Sequence, residues 1–187
     1  MYIRKGVGHL HYPEPYVSYL IHFHGERDYF ECHEVLEEYW KEVAPGERGS
    51  RWVGLIQIAV SFYHYRRGNF IGALKTMKKA ISILEKKSEE INELGIDHLK
   101  MLILLNKTKD GIESHRVYHS INLPITDPGL IKQCEDSCKL HGYNWCAESD
   151  LANVKLVNRH ALRDRTKVTQ ERKRQLTCKD GTQTRSI

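Results

Sequence analysis

A chain of 187 residues with 40% hydrophobic and 28% charged residues is large enough to bury a core without disulfide or metal staples, and suits one globular domain with an appendage. It holds no run of 18 apolar residues, and Met1-Tyr-Ile-Arg-Lys-Gly6 lacks the apolar stretch of a signal peptide. The expected location is therefore the cytoplasm, with no membrane partner, and five cysteines in such a chain are expected as thiols.

Residues 1–15 form an irregular N-terminal segment, which Pro13 and Pro15 end. From Tyr16 to Arg27, helical spacing of Tyr16, Tyr19, Leu20 and Phe23 predicts a first helix. Asp28 is suited to cap a second, with Glu31 three residues on to close a capping box. That helix runs to about Val43 and stops at Pro45-Gly46. Cys32, Leu36, Tyr39, Trp40 and Val43 share its inner side, and His33 and Glu37 lie at the edge. The third, about Ser50 to Arg67, is apolar around most of its girth and should be central. A fourth, Phe70 to about Glu89, turns Phe70, Ala73, Leu74, Met77, Ile81 and Leu84 inward. A fifth follows Gly95, from Asp97 to about His119, with Leu99, Leu102, Leu105 and Ile112.

Strand signals are absent here, so residues 16–120 read as an all-α, antiparallel bundle of about five helices. Residues 121–165 form a helical extension broken by Pro124 and Pro128: one short helix over Leu130 to Leu140, another from Ser149 to about Arg163. Residues 166–187 are a basic polar tail, expected to be partly disordered, with Thr166–Gln175 its weakest helical stretch. The charge is uneven: residues 155–187 carry ten Lys/Arg against three carboxylates, +7 of a total of +5, which leaves −2 for residues 1–154.

At Tyr29-Phe-Glu-Cys-His-Glu-Val-Leu-Glu-Glu-Tyr-Trp40, followed by Gly54-Leu-Ile-Gln-Ile-Ala-Val60, His64 and Gly68-Asn69, the chain resembles the family catalogued as domain of unknown function 309. The resemblance spans roughly residues 16–90 and implies a small all-α bundle. It implies no activity.

His33 and Glu37 are four residues apart, so they share a helix face. Gln57 and His64 are seven apart and share another, with Ser61 beside them. If the second and third helices are antiparallel neighbours, these five groups converge. Two imidazoles, a carboxylate and an amide suit a divalent metal or a small molecule. The plainer reading is a boundary hydrogen bond on one helix and an outer stripe on the other. Glu-x-x-His and His-Glu-x-x-His are both missing, which argues against a di-iron or zincin centre.

Weaker metal candidates are Cys134, Cys138, His141 and Cys146, whose plainer role is that of small apolar residues on an amphipathic helix. His115 and His119 can share a face but sit near a helix end, whereas His22 and His24 cannot share one. The functional expectation is a pocket between the second and third helices for a small ligand or metal. The alternative is an interaction module. It would engage a protein through helical-hairpin grooves or nucleic acid through the basic tail, where the lack of aromatics after Trp145 gives no support for base stacking.

Overall fold

The computed structural model describes residues 12–159. Its order is α1 (Glu14–Ile21), a π-helical segment (His22–Glu26), α2 (Tyr29–Val43), α3 (Arg51–Arg66), α4 (Phe70–Leu84), α5 (Ser88–Glu93), α6 (His98–Glu113), α7 (Pro128–His141) and the single turn α8 (Val154–Val157). No strand occurs among these residues, and one isolated antiparallel bridge joins Ile96 to Ile125. The chain divides into two units, Met1–Val157 and Asn158–Ile187. The expected helix over Thr166–Gln175 and the disordered tail lie outside the described residues.

Side chains start most of these helices. Asp28 accepts from the Phe30 and Glu31 amides at 3.1 and 3.0 Å, as its place before an apolar run predicts. Ser50 caps α3, Asn69 caps α4, Asp97 caps α6 and Asp127 caps α7. α3 is the central rod, with Trp52, Leu55, Ile58, Ala59 and Phe62 all buried. α2 packs on one side of it and α4 on the other; α1 packs on α2 and α7, and α6 packs on α4. A Cβ at Gly54 would overlap the Leu84 side chain, so this glycine lets α3 and α4 approach closely.

Several expectations need correction, among them the fifth helix, which ends at Glu113 and not at His119. The first helix does not run evenly to Arg27: its last turn widens into the π segment, and Arg27 closes it in the left-handed region at φ 62°. The fourth helix stops at Leu84, and α5 is a separate element. Val43, the last residue of α2, is 47% exposed, and Leu99 is 68% exposed because α6 turns Met101, Leu105 and Ile112 inward instead. The helix expected from Ser149 is a single turn among the described residues.

Candidate functional site

His33, Glu34 and Glu37 form a polar face on α2. The His33 ring lies between two carboxylates: Nδ1 is 3.1 Å from Glu34 Oε1, and Nε2 is 3.5 Å from Glu37 Oε2. The three side chains are 29–34% exposed, so the face is a half-buried rim. Among the described residues, this is the one set of three or more His, Cys, Asp or Glu donors lying within 4.8 Å of one another. Lys41 Nζ stands 3.2 Å from Glu37 Oε1, a resident cation next to the place a metal would take.

The partners given to the α3 candidates lie elsewhere. Ser61 is fully buried and its hydroxyl donates to the Ala73 carbonyl of α4 at 2.8 Å. Asn69 uses its Oδ1 to accept from the Gly72 amide at 3.0 Å, so its Nδ2 is the group that meets His64 Nδ1 at 3.1 Å. His64 and Ser61 therefore help close the α3–α4 turn. Gln57 is half-buried on α3. Of the five expected groups, the structure brings His33 and Glu37 together and adds Glu34, which adjacency in sequence hides because neighbours on a helix point about 100° apart.

The cysteine candidates sit on α7 and in the loop after it. Cys134 and Cys138 are fully buried, and burial pushes the Cys134 thiol up to about 12 and raises Cys138 and Cys146 as well. A Cβ on Gly25 would stand 2.5 Å from Cys138 Sγ, so the π segment and α7 touch at a glycine. His141 donates from Nδ1 to the Ser137 carbonyl at 2.8 Å.

Three buried basic side chains matter more to this architecture than periodicity suggests. Arg27 is 1% exposed and donates to the carbonyls of Phe23, Ile121 and Ala147 and to Asn122 Oδ1, all at 2.7–2.8 Å. Arg66 donates to the Arg27 carbonyl, Ser149 Oγ and the Leu156 carbonyl, with its guanidinium 4.9 Å above the Tyr29 ring. His24 Nε2 accepts from the Leu123 amide at 2.9 Å, so Nδ1 carries the proton that goes to the Leu20 carbonyl. Burial drives His24 down to about 3, which keeps it neutral. Its ring packs 4.7 Å from that of Trp145. No sequence signal marks these three, because the carbonyls that take their protons belong to distant segments.

Residues 16–76 match the family described as "Domain of unknown function (DUF309)". The "Uncharacterized protein YpuF" of Bacillus subtilis (strain 168) is 46% identical over 165 residues, which covers 88% of this chain and 95% of that protein. No solved structure matches. Among the described residues, no helix is long and apolar enough to cross a membrane.

Proposed function

This chain belongs to the DUF309 family, and we propose that it binds a divalent cation through His33 and Glu37 on the half-buried rim of α2, with Glu34 beside them. The observation that carries this reading is the convergence of one imidazole and two carboxylates within 4.8 Å. Tetrahedral zinc with bonds near 2.05 Å needs neighbouring ligand atoms about 3.3 Å apart. The separation of His33 Nε2 from Glu37 Oε2 is 3.5 Å, so this pair forms an edge of such a shell with little movement. Glu34 holds the other ring nitrogen and orients the imidazole.

Zinc titration of the full chain by calorimetry tests it. One ion per chain is expected, with affinity reduced at least tenfold in Glu37→Gln and in His33→Ala. Lys41→Ala should strengthen binding, because it removes the competing cation. Equal affinity in all four proteins would overturn the assignment.

A second reading, a protein-docking module, rests on Leu99 and Ile103, which are 68% and 61% exposed one turn apart on α6. Leu99→Glu should then abolish association without loss of stability. The basic tail, where nucleic acid would bind, lies mostly outside the described residues.

A further inference from the structure

A separate cleft of about 670 Å³ opens between α1 and α7. Tyr12, Glu14, Val17, Ser18, Ile21, His22, Gln133, Ser137, His141 and Tyr143 line it. Its volume suits a small organic molecule.

Hydrogen bonds within the lining use up several of its donors. His141 donates through Nδ1 to the Ser137 carbonyl at 2.8 Å. His22 Nδ1 lies 2.9 Å from Glu26 Oε2. The Tyr12 hydroxyl donates to Asp127 Oδ2 at 2.8 Å, and Tyr143 bonds the Glu26 carboxylate, so each phenol has spent its proton and keeps an acceptor oxygen. Glu14 accepts only. Among the described lining residues there is no lysine or arginine. Ser18, Ser137 and Gln133 can serve either way. The wall thus offers many acceptors, one carboxylate and aromatic faces, including a stacked His141–Tyr143 pair 5.9 Å apart.

The π segment explains how this wall is made. The wide turn sets His22 and Glu26 in register for their bond, and Gly25 admits α7 close enough to bring His141 and Tyr143 alongside. These acceptors are not gathered for one ion, since the described set with three donors within 4.8 Å is the one on α2. Spaced acceptors match a ligand with several N–H groups.

We propose that the α1–α7 cleft binds a small organic cation, an amine whose ammonium groups donate to Glu14 and to the phenol oxygens of Tyr12 and Tyr143. The aromatic faces of Tyr12 and Tyr143 favour the same charge. An adjoining cleft of about 380 Å³ shares Glu14 and Ser18 and adds Glu38, Glu42 and Tyr39, again without a basic side chain among the described lining residues. A polyamine could therefore extend from one cleft into the other.

The test is titration of the full chain with spermidine at physiological ionic strength, followed by amide and aromatic NMR. Saturable shifts are expected at Ser18, His22, Ser137, His141 and Tyr143. Affinity should fall at least fivefold in Glu14→Gln and should vanish in Gln133→Trp, whose indole would fill the cleft from an exposed position. Unfolding curves of both variants should match the parent, which separates lost binding from lost structure. Spermidine affinity in His33→Ala should be unchanged, so failure of the cation site on α2 leaves this result standing. Three outcomes would overturn the proposal: no saturable shifts, shifts scattered over the surface carboxylates, or equal affinity in Glu14→Gln. Binding of inorganic phosphate in the cleft instead of spermidine would also overturn it.

Discussion

Helices α1–α4 meet through apolar stripes: Tyr16, Leu20, Leu36, Leu55, Phe62, Met77 and Leu84 are all buried and all recur at helical spacing. The segment from Tyr118 to Leu156 adds Tyr118, Leu123, Leu130 and Cys134 to the same core and is tied to it by polar bonds as well. Arg27 and Arg66 reach the carbonyls of Ile121, Ala147 and Leu156, and His24 receives the Leu123 amide. A hydroxyl chain from Tyr29 through Tyr118 to Ser120 continues the join at 2.6 and 3.0 Å. Apolar stripes are non-directional and tolerate sliding, whereas a guanidinium with four acceptors at 2.7–2.8 Å fixes one position. The bundle is held by packing along its stripes; the extension is packed and stitched.

The largest effect should come from the packed half. Trp52 is 5% exposed against Tyr16 and Tyr39, so Trp52→Ala should cost about 3–5 kcal/mol in urea unfolding. Trp40 is half-buried, with its indole nitrogen donating to the Glu47 carbonyl, and Trp40→Ala should cost roughly half as much. Equal costs would mean that the core does not narrow toward the end of α2.

Arg27→Met probes the stitched half. It leaves three carbonyls and an amide oxygen without this donor, at about 2–4 kcal/mol. Amide exchange should accelerate at residues 121–123 and 146–149 well before α3. Uniform acceleration through both regions would erase the distinction between them.

The third prediction concerns pH. His24 falls from 6.5 to about 3 on folding, so below 6.5 the unfolded chain binds the extra proton. Stability from this group is complete above about 6.5 and drains as pH falls toward 3, by about 1.4 kcal/mol per unit within that window. Unfolding curves between pH 6.5 and 5 precede most carboxylate titration and should show this slope, which His24→Gln should flatten. A slope retained in His24→Gln would assign it to other groups.

Ser61→Ala should give the smallest effect, about 1 kcal/mol, because the Ala73 carbonyl keeps a second side-chain donor in Thr76 at 3.1 Å. Zinc affinity should not change in this variant. A loss of affinity would place Ser61 in the cation site.

Much of the bundle was legible in residues alone. Period-3.6 spacing marked α2, α3 and the first part of α4, and the cap Asp28 stood where a short polar side chain precedes an apolar run. The His33–Glu37 pair was legible for the same reason, since helical phase is a local property. The partners of Ser61 and His64 were not, because phase gives a direction on one helix and says nothing of which neighbour stands there. Nor were the π turn at His22–Glu26, the αL backbone at Arg27 or the burial of Arg27, Arg66 and His24. Composition assigns basic side chains to the surface by default, and it errs wherever distant carbonyls can take every proton. Sequence by itself determined what repeats every turn: the helices, their apolar faces and the adjacency of His33 to Glu37. Tertiary structure decided what depends on acceptors about 100 residues away: where the C-terminal segment attaches, and which walls enclose the α1–α7 cleft.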